Sequence, residues 1–181
     1  LSVVAVGREG GLRPLAQTES PEIAGPHVRT ARGGGVTEWW RSLPSGLEHG
    51  VTIVERPSGE GELVVEVAVT GALEARLRSD DAVELRDSAG VHFATYAQLV
   101  VLDAGGVRVP SRISMDGERI VLAVDDAGAL YPIVVDPLVT VQEATLLAPD
   151  GALSDGFGNA VALATDGTRA IVGVRGDDTV G

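Results

Sequence analysis

The side chains with the means to do chemistry here are three histidines, two adjacent tryptophans and 26 carboxylates. His27, His49 and His92 stand far apart, and none shares with another the His-Glu-x-x-His spacing by which two imidazoles hold one zinc ion. His92 lies between Val91 and Phe93 and is expected to face solvent on a strand. No Gly-x-Ser-x-Gly turn presents a nucleophile, and no P-loop cradles phosphates. Cysteine is absent, which removes disulfides, zinc-thiolate sites, iron–sulfur clusters and thiol nucleophiles. No pair of acids stands apart from turn and strand-face positions as a glycosidase pair would. The expectation is a chain with no catalytic residue and no cofactor. Trp39 and Trp40 remain: on a strand they point to opposite faces, one anchoring the core and the other partly exposed as a possible contact for a protein or glycan ligand.

The charge balance narrows the partners further. Fourteen basic residues, all arginine, face 26 acids, for a net charge of −12. Such a chain repels phosphate backbones and anionic lipid surfaces, so no nucleic-acid role is expected. No run of about 18 apolar residues occurs, so no membrane insertion is expected. At 44% hydrophobic with a mean hydropathy of +0.19, the chain can bury a core. Aromatics are only 3% while valine occurs 27 times, and valine, stiff at χ1, packs best on a pleated surface.

The elements that must position these residues follow from alternation. In residues 63 to 136 apolar side chains fall on every second position: Leu63, Val65, Val67 and Val69 oppose Glu66 and Thr70. Leu73, Ala75 and Leu77 oppose Glu74, Arg76 and Arg78, and Val83 and Leu85 oppose Glu84 and Arg86. This is the period of half-buried strands, with cross-strand ion pairs expected on the wet face. Turn signals such as Ser88-Ala89-Gly90, Gly105-Gly106 and Asp116-Gly117 recur about every ten residues, the rhythm of an antiparallel sandwich or meander. No sustained 3.6-residue period occurs, so almost no helix is expected. Leu1 to Val6 reads as a strand, residues 7 to 35 as irregular, and 36–43 and 47–54 as two strands joined at Pro44-Ser45-Gly46. A strand is expected to end at Val135, where Asp136-Pro137 makes an exit from the domain.

Residues 143 to 178 have a different texture. Asp150-Gly151, Asp155, Phe157-Gly158, the alternating Val161 and Leu163, Asp166-Gly167 and Ile171-Val172-Gly173 together resemble one FG-GAP repeat, the blade unit of integrin α-type β-propellers and of many bacterial secreted and surface proteins. Gly173-Val174-Arg175 departs from the usual Gly-Ala-Pro, and Arg175 lacks the fixed φ of proline. Phe157 is expected to supply bulk, Gly158 to admit a neighbouring backbone, and Asp166-Gly167 to turn a hairpin between strands 157–165 and 169–174. Many such blades hold calcium in an Asp-x-Asp-x-Asp-Gly loop, but no Asp-x-Asp occurs in this chain, so calcium is not expected at this blade. Asp150, Asp155, Asp177 and Asp178 are the weak candidates for a looser metal site, against the plainer reading of solvated turn carboxylates. Residues 36 to 138, from Glu38-Trp39-Trp40 to Tyr131-Pro132-Ile133-Val134-Val135-Asp136-Pro137, are similar to all-β domains that precede propeller repeats in large bacterial secreted proteins.

The fold expected is therefore all-β: an antiparallel β-sandwich or meander over 1–142, with 1–35 irregular, followed by a partial β-propeller blade over 143–181. One repeat cannot close a propeller, so further repeats in the same chain are the expected partners. Leu1 in place of Met and the open run Asp177-Asp178-Thr179-Val180-Gly181 fit a piece of a longer protein. The resemblance implies a non-enzymatic structural or adhesive module at the cell surface or outside the cell. The alternatives are an accessory domain of a secreted hydrolase whose catalytic residues lie elsewhere, and a carbohydrate-binding β-sandwich using Trp39 or Trp40.

Overall fold

A computed structural model describes residues 1–44, 46–79, 81–141, 156–163 and 170–176. The protein is all-β, with no helix among these residues and with every strand pairing antiparallel. It divides into two compact units, Leu1–Gln142 and Glu143–Gly181.

In the first unit the strands are β1 (Ser2–Arg8), β2 (Gly11–Pro14), β3 (Glu22–Ala24), β4 (His27–Gly33), β5 (Val36–Leu43), β6 (Gly46–Ile53), β7 (Leu63–Ala68), β8 (Leu73–Ser79), β9 (Ala82–Asp87), β10 (His92–Leu102), β11 (Ser111–Asp116), β12 (Arg119–Val124) and β13 (Ile133–Val141). They form a five-stranded sheet in the order β11-β12-β7-β1-β2 and an eight-stranded sheet in the order β3-β4-β5-β6-β13-β10-β9-β8. The alternation read from sequence supplies the inner faces: Leu63, Val65 and Val67 of β7 with Ile120, Leu122 and Val124 of β12 meet Val51, Ile53, Val83, Leu85, Val101, Ile133 and Val135 of the larger sheet in one core. Each such Leu or Ile, fully buried, contributes roughly 1.5–3 kcal/mol. Among the phenylalanine, tyrosine and tryptophan side chains of the described residues, only that of Tyr96 is wholly enclosed there.

At one end a charged staple closes the sandwich. Arg8 donates to both carboxylate oxygens of Asp126 at 2.6 and 2.9 Å, and also to the carbonyls of Pro57 and Gly61. Tyr131 and Arg56 donate to Asp126 as well. Burial works against the charge on Asp126, but these donors outweigh it and hold the carboxyl down at about 2. The loops 54–62 and 125–132 are thereby tied to β1.

The structure departs from the sequence reading in three places. Residues 7–35 are not irregular: β2, β3 and β4 lie within them, and the Gly33-Gly34-Gly35 run is the β4–β5 turn, with all three glycines at positive φ. The segment escaped the alternation test because β4 carries one large apolar residue, Val28, and lies near the edge of its sheet. Second, the chain does not leave the sheet at Asp136-Pro137; β13 runs on to Val141 as a central strand between β6 and β10. Two residues of β10, Gln98 and Leu99, stand opposite Pro137 alone, with Gln98 at φ 54°. This bulge withdraws the partner that proline, lacking an N–H, could not have bonded. Third, Arg76 pairs with Glu74 and Arg86 with Glu84 along their own strands, not across them.

The bulge yields a test. In urea titration, Gln98→Val, which forces a β-branched residue to positive φ, is expected to cost about 1–2 kcal/mol, whereas Gln98→Gly leaves stability unchanged or raised by up to about 1 kcal/mol.

Candidate functional site

Registry across four strands builds one polar, aromatic recess on the outer face of the eight-stranded sheet. The β5–β6 ladder sets Trp39 opposite Gly50, the β4–β5 ladder sets Arg29 opposite Trp39, and the β13–β6 register brings Asp136 to the level of Gly50. Arg29, Trp39, Gly50 and Asp136 therefore form one row. Thr37, Thr52 and Val134 form the row on one side, and His27, Arg41 and Glu48 the row on the other. Seven of these side chains, with Trp39, line a recess of about 460 Å³ that omits only Glu48 and Gly50 from the three rows.

Gly50 shapes the floor. A Cβ at this position would collide with Cε2 and Cζ2 of Trp39, so the indole lies across the bare glycine backbone. Its Nε1–H donates to Thr52 Oγ1 at 3.2 Å, which fixes the ring's rotation. Arg41 is answered by Glu48 at 2.5 Å. Asp136 is not: its Oδ1 is enclosed and has no hydrogen-bond partner among the described residues. Burial, aided by the Glu48 charge and only partly offset by Arg41, pushes the Asp136 carboxyl up to about 6.

Trp40 has the opposite fate. It faces the core side, where its ring stacks on the imidazole of His49 with centroids 4.2 Å apart. His49 is 0% and Glu38 2% exposed. Glu38 Oε1 accepts from the Val3 N–H of the other sheet at 3.0 Å and from His49 Nε2 at 2.7 Å, while Oε2 accepts from Arg32. With Nε2 donating, His49 Nδ1 is the acceptor for the Tyr96 hydroxyl at 3.1 Å. Burial lowers the His49 pKa and keeps the imidazole neutral. Burial pushes Glu38 the other way, upward, but the donors from His49, Arg32 and Val3 outweigh it and leave the carboxyl below its ordinary value. Glu, His and Tyr in hydrogen-bonded sequence have the order of a proton relay, but all three lie inside the core. Their role is to hold the sheets together.

Of the residues singled out from sequence, the structure thus separates the tryptophans, placing Trp39 in the recess and Trp40 in the core. Sequence reading missed Arg29, Gly50 and Asp136. Counting back from the Pro44-Ser45-Gly46 turn would have paired position 39 with 50; nothing local pointed to Asp136, which arrives from a strand 97 positions beyond Trp39 (136 − 39). His92 stands on the outer face beside Arg86, half-covered, with Nε2 3.0 Å from Thr95 Oγ1. A bulge between His92 and Ala94 makes Phe93 the extra residue and leaves its ring half-exposed.

In the second unit β14 (Ala160–Leu163) and β15 (Ala170–Gly173) form the expected hairpin ladder, with Ala160 opposite Gly173 and Val161 opposite Val172. The Gly158 N–H extends it to the Gly173 carbonyl at 3.0 Å. Gly158 is required by its φ of 88°, and among the described residues nothing lies within 4 Å of the place a Cβ would take. Phe157 is partly exposed. Asp150, Asp155, Asp166, Gly167, Asp177 and Asp178 lie outside the described residues. Among the described residues no three His, Asp or Glu side chains converge as a metal site. The FG-GAP repeat family matches residues 140–181. No curated protein and no solved structure matches the chain.

Two pH dependences follow, with opposite signs. His49 and Glu38 have folded pKa values below the unfolded 6.5 and 4.5, so the stability they confer is complete above about pH 6.5 and is lost as pH falls through that range and below. In an Asp136→Asn background, which removes the opposing titration of that carboxyl, urea midpoints are expected to decline from pH 7 to pH 4. Asp136 has its folded value raised from 3.8 to about 6, so its favourable protonated form is lost as pH rises through 6. Asp136→Asn is expected to stabilise the protein by about 1 kcal/mol at pH 7.5, a difference that vanishes below pH 4.

Proposed function

We propose that this chain is a non-enzymatic structural and adhesive module of a secreted or cell-surface bacterial protein, in which an all-β sandwich leads into the first blade of a β-propeller. The observation that carries the reading is the state of the repeat. Val161 and Ile171 project from the β14–β15 ladder with 62% and 75% of their surface exposed. They are not cross-strand partners, and the alternation of a strand puts Val161 and Ile171 on opposite faces of the ladder. A two-stranded ladder with apolar residues on both faces is marginal by itself; it gains stability only when neighbouring strands and repeats cover those faces. The FG-GAP match over 140–181 supports further copies of the same unit as those neighbours, since such repeats stack on one another. The sandwich has its own core.

Hydrogen exchange checks this. In a native chain extended beyond residue 181 the amides of 160–163 and 170–173 are expected to exchange at least about 100-fold more slowly than in the 181-residue chain, as repeats lock one another. Equal exchange rates in the two chains would remove the propeller reading.

A further inference from the structure

We propose that the recess around Trp39 binds a neutral saccharide, with a sugar ring lying on the indole and its hydroxyls bridging Arg29 and Asp136. The inference gives a ligand class to the adhesive role proposed above and rests on that reading for its biological setting, while its test does not pass through the repeat.

The geometry comes from the sheet. Arg29 and Asp136 stand on β4 and β13, three strand spacings or about 14 Å apart, with Trp39 and Gly50 between them. Because residue 50 has no Cβ, the platform between the two polar ends is a flat aromatic surface, held in rotation by Thr52. Thr37 and Thr52 add hydroxyls along one side of the recess.

The chemistry of the two ends selects the occupant. The Asp136 side chain lines the recess and makes no hydrogen bond or ion pair among the described residues; its Oδ1 is enclosed, so the side of the carboxyl that borders the recess is the one a ligand hydroxyl would meet. Arg29 is exposed, lines the recess and makes no ion pair or side-chain hydrogen bond among the described residues. A cation would satisfy Asp136 but meet Arg29 and Arg41. An anion would satisfy Arg29 but meet Asp136, Glu48 and a net charge of −12. A hydroxyl donates and accepts, so a polyol answers both ends at once. The weakly positive C–H face of a sugar ring suits the negative face of an indole, which attracts positive edges. Basic peptides and acidic polysaccharides each match only half the recess.

The test uses the whole 181-residue chain on an array of neutral and uronic-acid oligosaccharides together with Lys- and Arg-rich peptides, followed by titration calorimetry of the strongest neutral binder. Trp39→Ala is expected to weaken that binder at least about 30-fold and Trp39→Phe, which keeps a flat ring, less than about 10-fold. Arg29→Gln and Asp136→Asn should each cost about 10-fold through a lost charged hydrogen bond. Far-UV circular dichroism and urea midpoints show which variants are folded, and Arg29→Gln, at an exposed position, keeps the question open to refutation if Trp39→Ala is not. Absence of neutral-sugar binding at millimolar concentration overturns the site, as does binding indifferent to all four substitutions or confined to uronic acids or basic peptides. None of these outcomes alters the exchange rates of the repeat, so the two readings fail separately.

Discussion

A carboxylate placed between two sheets must have its oxygens answered, and the first unit is arranged around that requirement at Glu38. The residue sits on the inner face of β5, between Val36 and Trp40, where the alternation calls for an apolar side chain. Its oxygens draw in an N–H from β1 of the opposite sheet, the guanidinium of Arg32 and the imidazole of His49, which in turn engages Tyr96 on β10. A β-bulge in β1 between Val3 and Ala5 interrupts the ladder next to the N–H that Glu38 receives. Buried ion pairs add little net stability compared with apolar packing, but breaking one is expensive, and such a cluster admits few alternative ways of stacking the sheets. The otherwise interchangeable valines of the core gain a defined mutual orientation from it.

The same interior explains which outer-face features are possible. With Trp40 stacked on His49, β5 is held so that Trp39 must emerge on the other side. The recess is thus an indirect product of the buried polar cluster: one strand, two adjacent indoles, and a glycine on the neighbouring strand that gives the outward one room to lie down.

Much of this architecture was legible from residues 36–54 and 63–136, because a strand buried on one face writes its environment into every second residue. Legibility failed where that code is diluted. β4 has little apolar content, so its seven residues read as loop. Glu38 and His49 violate the alternation while lying deeper than most valines, because hydrogen bonding substitutes for hydrophobicity there. Pro137 signals a strand end by every local rule, and only a bulge on the partner strand, invisible in the proline's own surroundings, allows β13 to continue. The recess was half legible: the tryptophan pair announced one outward-facing indole, but which of the two faces out depends on the polar cluster, and Asp136 joins through strand order, which no local pattern encodes. The repeat was the most legible part, since its Asp-Gly and Phe-Gly positions carry a family signature over 140–181.

The position of β13 has a mechanical meaning. It is the last strand of the first unit, and it is bordered on both sides, by β6 and by β10. A pull on the chain beyond Val141 enters the sandwich through this interior strand. To release it, two antiparallel ladders have to yield, one on each flank, with Ile133, Val135 and Val139 leaving the core in the same event. Had the exit strand been β8 or β3, at the edges of the same sheet, one ladder alone would have resisted. The connection between the two units is therefore anchored where the sheet resists tension best.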